Sequence, residues 1–255
     1  MVDHAQPAAK RRARWPWVIL IVVVIVAALA VVAELVARAV LPGVVRGIVV
    51  EQLELPQDQQ LEVDAGGVLL PQLIGGRLDA LHLSTDSVTF GGITGAVDVT
   101  ATGIPLGGGD LADAHGTVRI DQTQFTTLSQ RTELPIDEIA FDAPDVTASG
   151  TFEVLGTAVP LSLTVTPEVD DGDLLLTPVS FEVLGARLQA ADLVNQFGAI
   201  ARPFIETQRI CIADQLPAGL TVTGLEIEGS EAVIDVEVDG AIVTDDRLQQ
   251  NGVCG

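Results

Sequence analysis

The sequence predicts an α+β protein: a curved antiparallel β-sheet wrapped around amphipathic helices, preceded by one N-terminal transmembrane helix. Three observations lead there. Val18 to Ala33 runs VILIVVVIVAALAVVA without a charge, the apolar continuity a membrane-crossing helix needs. Val44 to Leu55 places Val44, Val45, Ile48, Val49 and Leu53 on one helical arc, with Arg46, Glu51 and Glu54 opposite. Downstream, short segments alternate apolar and polar residues with the period of a strand.

The first segment sets the domain organisation. Residues 1–14 are polar and basic, with Lys10, Arg11, Arg12 and Arg14 ahead of the apolar run. Trp15 and Trp17 open that run, where amphipathic rings favour a membrane interface. Sixteen apolar residues rise about 24 Å, short of a hydrocarbon core of about 30 Å. Extension through Leu35-Val36 closes the gap, with Glu34 near the end. The cations put the N-terminus in the cytoplasm and the rest outside. This gives a tail at 1–14, an anchor or uncleaved signal at 15–39, and an extracytoplasmic domain at 40–255. A cleaved signal peptide is the alternative, since Ala37-Arg38-Ala39 has a small-x-small form.

Composition narrows the exported part. Apolar residues make up 48% of the 255, yet aromatics are only 4% and there is no Tyr, so the apolar mass is Val, Leu, Ile and Ala. With 25 Gly, that suits long strands able to bend. From residue 39 onward, 8 Arg stand against 33 Asp and Glu, a net −25. Such a surface excludes phosphate-backbone binding, so nucleic acid is not an expected partner.

After the 44–55 helix, a strand opens at Leu61 and Val63. Leu69 to Gly76 reads as an apolar link punctuated by Pro71, Gly75 and Gly76. Strands follow through Leu81 to Phe90 and Ile93 to Ala101, then at Val118 and Ile120. Thr123 to Arg131 is a short helix. Further strands lie at Ile139 and Phe141, and from Val146 to Val154. Asp171-Gly172 between two apolar runs marks a hairpin. Ala190 to Phe204 is a second helix, and the strands Leu220 to Ile227 and Ala232 to Val238 close the chain.

Cys211 and Cys254 are the only cysteines. An exported pair is expected to form a disulfide, with two free thiols the alternative. Neither His82 nor His115 lies near them, and no CxxC spacing occurs, so no metal is expected. No catalytic motif is present. Gly107-Gly108-Gly109-Asp110 lacks the Lys and Ser/Thr of a phosphate loop. No catalytic residue, metal or cofactor is expected, and the chain does not read as an enzyme.

Four features together resemble the LmeA-like phospholipid-binding family of actinobacterial envelopes. A helix ending Glu51-Gln52-Leu53 precedes a strand at Leu61 to Asp64. Leu69 to Asp79, LLPQLIGGRLD, is similar to that family's "fPfLtqLl.Gr.d" segment, with Leu69-Leu70-Pro71 where an aromatic is common. Gly103-Ile104-Pro105-Leu106 matches its G-x-x-P-L strand end, and Leu216 to Leu220 its "LP.Gl.l" motif. The resemblance covers about residues 44–254. It implies a TULIP-like fold, in which a curved sheet around a long helix leaves an apolar groove for acyl chains. It also implies phospholipid as partner and a role in envelope lipid or lipoglycan maintenance. The residues expected to face lipid are Val45, Ile48, Val49 and Leu53 on the helix, with Leu70, Leu73 and Ile74 at the mouth. The alternative is a structural or scaffolding envelope protein whose core is filled by its own side chains.

Overall fold

In the computed structural model, which describes residues 15–52, 60–90, 92–131, 136–154 and 157–254, the anchor and the amphipathic stretch are a single helix, α1 (Trp15–Gln52). Pro42-Gly43, which lies between the two stretches, does not separate them, for Pro42 lies inside α1. A proline in a helix interior costs about 3 kcal/mol. Within α1, Ile19–Glu51 is long and apolar enough to cross a membrane, an 18-residue stretch of it reaching a mean hydropathy of 3.2. The basic tail 1–14 and Leu53 fall outside the described residues.

The apolar link is also a helix, α2 (Leu69–Gly75). Seven residues are too few to be stable alone, and Val68 at its N-cap offers no side-chain cap. The cap comes from α1: Glu34 accepts the main-chain N–H of Leu69 at 2.9 Å and of Leu70 at 2.8 Å. Arg38 donates to Glu34 at 2.8 Å and to the Gly67 carbonyl at 2.6 Å. On the inner side, buried Gln72 donates to the Gly66 carbonyl and accepts the N–H of Asp79. Gly76, at φ 72°, ends α2 in the left-handed conformation glycine adopts without strain.

Two antiparallel sheets follow. The first holds β1 (Glu62–Ala65), β2 (Arg77–Phe90), β3 (Ile93–Pro105), β4 (Asp113–Asp121), β11 (Leu220–Glu228) and β12 (Glu231–Val238), in the order β1-β2-β3-β4-β12-β11. The second holds β5 (Glu138–Asp142), β6 (Asp145–Val154), β7 (Thr157–Asp170), β8 (Asp173–Val183) and β10 (Gln208–Ile210), in the order β10-β8-β7-β6-β5, with β9 (Ala186–Gln189) on β8. The β7–β8 hairpin turns at Asp171-Gly172, both at positive φ, as the Asp-Gly pair predicts. Register shifts at Thr85/Val88, Thr164/Val165 and Val222/Gly224 are the irregularities that bend and twist strands.

The predicted antiparallel α+β class is therefore found, with α1 placed differently from the expectation. Instead of lying inside the sheet, it packs on α2 and edge strand β1, and Val44 and Ile48 remain more than half exposed. The space between the sheets is left to other elements. One is α3 (Gln122–Arg131), found where Thr123 to Arg131 predicts a helix. Asp121 caps it, accepting the Thr123 N–H at 2.9 Å and the Thr123 hydroxyl at 2.7 Å. The helix expected from 190 to 204 is three pieces: α4 (Ala190–Phe197), a 3-10 turn (Gly198–Ala201) and α5 (Arg202–Ile205). Gly198, at φ 63°, interrupts it.

Candidate functional site

Strand alternation builds two facing apolar walls. In the first sheet, Val222, Leu225 and Ile227 of β11 sit directly opposite Val236, Ile234 and Ala232 of β12. Ile234 in turn pairs with Val118 of β4. In the second sheet, Pro167 and Val169 of β7 pair with Leu176 and Leu174 of β8. Phe141 of β5, Val146 of β6 and Val165 of β7 continue that row across three strands. Side chains opposite each other stand on the same sheet face, so each wall is a patch of branched aliphatics.

These walls do not fill the space between them. They flank a partly open cavity of about 520 Å³, lined by 19 residues of which only Gln215 has a polar side chain. Phe125 of α3 closes one side, its ring 5.5 Å from that of Phe141. Ile212, Gln215 and Leu216 close another, around a 3-10 turn at Ala213–Gln215. The volume lies within the range of about 300–1,000 Å³ usual for small-molecule sites. An apolar cavity of that size offers an alkyl chain the removal of its surface from water, about 0.8 kcal/mol per CH₂. Pro167, Val169, Leu225 and Ile227 also border an adjoining groove of about 690 Å³, where Thr166, Glu168 and Glu226 add polar groups.

The wall segment at 212–216 is held by the C-terminal tail. Cys211 and Cys254 form the expected disulfide. Between them, Ala218 donates to the Gln250 carbonyl, Gly219 to Leu248 and Gly252 to Leu216, all at 2.8–2.9 Å. The Asn251 side chain donates to the Asp214 carbonyl at 2.7 Å.

The sequence-predicted lipid residues lie elsewhere. Val45, Ile48 and Val49 are on α1, with Ile48 56% exposed. Leu70, Leu73 and Ile74 are on α2, with Ile74 81% exposed. None of these six lines the cavity, and Leu53 lies outside the described residues. Where α1 meets the fold, the contact is made by Arg38, Leu41 and Pro42 against Val63, Ala65 and Leu69, around a small void of about 40 Å³. Sequence reading located most cavity-lining strands without assigning them a role. The available signal was the alternation of Val, Leu and Ile along those strands, which marks an inward face but not what that face meets.

Charged groups stay outside the walls. Arg209 reaches Asp170 and Asp173 at the β7–β8 hairpin, and these contacts raise its pKa further above the usual guanidinium range. The Arg247 side chain, then its N–H, hold the Asp245 carboxyl down to about 2. Among the described residues, no group of three His, Cys, Asp or Glu stands close enough to hold a metal.

No curated protein and no solved structure gives a significant match to the chain. One family model does, over residues 32–237, a span taking in the second half of α1, α2 and every strand to β12. By that match, the chain belongs to the LmeA-like phospholipid-binding family.

Proposed function

We propose that this chain is a membrane-tethered, extracytoplasmic lipid carrier or lipid-binding protein that holds phospholipid acyl chains between its two sheets, in the service of envelope lipid or lipoglycan maintenance. The observation that carries the reading is the cavity of about 520 Å³ with its nearly all-apolar lining. The adjoining groove bordered by Thr166, Glu168 and Glu226 opens to water beside the apolar walls, so a headgroup can stay hydrated there while the chains are buried. Tethering is supported by α1, whose apolar half continues directly into the contact with α2. The disulfide suits an oxidising, exported compartment, and the basic residues before α1 favour a cytoplasmic N-terminus.

The test is native mass spectrometry of the full chain after gentle extraction, on wild type and Ile234→Trp. Ile234 stands mid-wall, opposite both Leu225 and Val118. In a filled core the extra ring would overpack at a cost of about 1–3 kcal/mol. In a lipid cavity it takes up lipid space, so thermal melting holds while co-purifying phospholipid is lost. A variant that melts much earlier yet carries normal lipid defeats the reading.

A further inference from the structure

We propose that α2 and the end of β3 form an interfacial wedge, whose exposed apolar side chains sit in the headgroup boundary of the same bilayer that α1 crosses. This rests on the tethered reading of α1. The ruler is α1 itself. From Trp15 to Glu34 the helix rises about 30 Å, the thickness of a hydrocarbon core. Glu34 therefore stands where the helix leaves the membrane, and its carboxylate holds the first two N–H groups of α2 at that level.

What α2 shows there is apolar. Val68 is 58% exposed, Leu73 36% and Ile74 81%, with Leu106 at 45% beside them, its N–H bonded to the Gly76 carbonyl at 2.9 Å. Both contributing segments are free of acid. Residues 66–78 carry a single charge, Arg77, and residues 103–109 carry none, in a chain with 33 Asp and Glu beyond residue 39. Asp64, Asp79 and Asp110 mark where the acidic surface resumes. Acidic groups are repelled by anionic lipid surfaces, whereas an exposed arginine such as Arg77 suits lipid phosphates. An apolar tip at the exit of a spanning helix, with the Glu34 carboxylate beside it taken up by two N–H groups and Arg38, matches the bilayer interface better than water. The wedge would fix how the fold stands on the membrane, and hence where a lipid enters it.

The test uses the full chain in vesicles of phosphatidylethanolamine and phosphatidylglycerol, with one cysteine added at a time. The native pair is bonded, so Ile74→Cys, Val68→Cys or Val22→Cys carries the one reactive thiol for a fluorophore. All three side chains are exposed, so no packing is removed. At Val22, inside the span, emission should be quenched by a spin label near the lipid chain end. At Ile74 and Val68 it should be quenched more by a spin label near the headgroup, and shielded from iodide, as for an apolar face buried about 5–10 Å into the interface. If Val22 is quenched while both wedge labels stay open to iodide and untouched by lipid quenchers, the wedge is overturned and the tether stands. If none is quenched by lipid, both fall.

Discussion

The Glu34 carboxylate accepts the main-chain N–H of Leu69 at 2.9 Å, across 35 positions of chain, and Leu69 is the most fully buried large side chain of the described residues. One anchor residue thus caps a helix that cannot cap itself, and joins the apolar helix to the folded domain. Glu34→Ala leaves two N–H groups and Arg38 without this acceptor and should loosen the first turn of α2. Hydrogen exchange should accelerate first at Leu69 and Leu70. Glu34→Gln keeps one acceptor oxygen and should lie between. Unchanged exchange at both amides would show that α2 is held by other contacts.

Ile48→Trp separates the two places where lipid has been expected. Ile48 is exposed on α1 and does not line the cavity, so the larger ring should alter neither melting nor co-purifying lipid. Should Ile48→Trp strip the lipid while Ile234→Trp retains it, the site belongs on α1.

Unreduced, denatured protein should present no free thiol, because Cys211 is bonded to Cys254. Opening a loop of 43 residues by Cys254→Ser should lower stability by about 4 kcal/mol in the chain-entropy model. It also loosens the tail that holds Ile212, Gln215 and Leu216 against the cavity, so lipid should exchange faster. Equal exchange rates in wild type and variant would confine the bridge to stability alone.

Acid should act through depressed carboxylates. Asp245 is lowered to about 2 by Arg247, and Asp121 is lowered by the Thr123 hydroxyl and then its N–H. A carboxyl whose folded pKa is depressed contributes stability above its unfolded value, near 3.8, and loses it as pH falls through the folded value. Melting temperature should thus be flat near neutrality and fall below about pH 4 towards pH 2. Asn is also an effective N-cap, so Asp121→Asn should remove part of that slope while keeping α3 in place. Asp121→Ala should cost about 1 kcal/mol and free Phe125 from the cavity wall. An Asp121→Asn profile identical to wild type would exclude Asp121 from the acid response.

Much of this protein was legible in one dimension because the relevant forces are local. Alternation marked most of the strands, Asp171-Gly172 fixed a tight hairpin through its positive φ values, and a chargeless run marked the apolar helix. Two cysteines, alone in the chain, pointed to their own bond. Tertiary structure decided the rest, through contacts between residues far apart in sequence. Leu69 to Gly75 became a helix because Glu34, 35 positions earlier, supplies its cap. Pro42 failed to end α1 because a break depends on the whole helix's hydrogen bonds, not on one residue's propensity. Val45 and Ile48 look like groove residues on a helical wheel, yet a wheel does not say which surface meets which. The cavity arose where Ile234 and Leu225 of one sheet face Leu174 and Val165 of the other. Alternation tells each of those residues its side of a strand; only the pairing of two sheets, spaced by aliphatic side chains too short to meet, makes the gap between them.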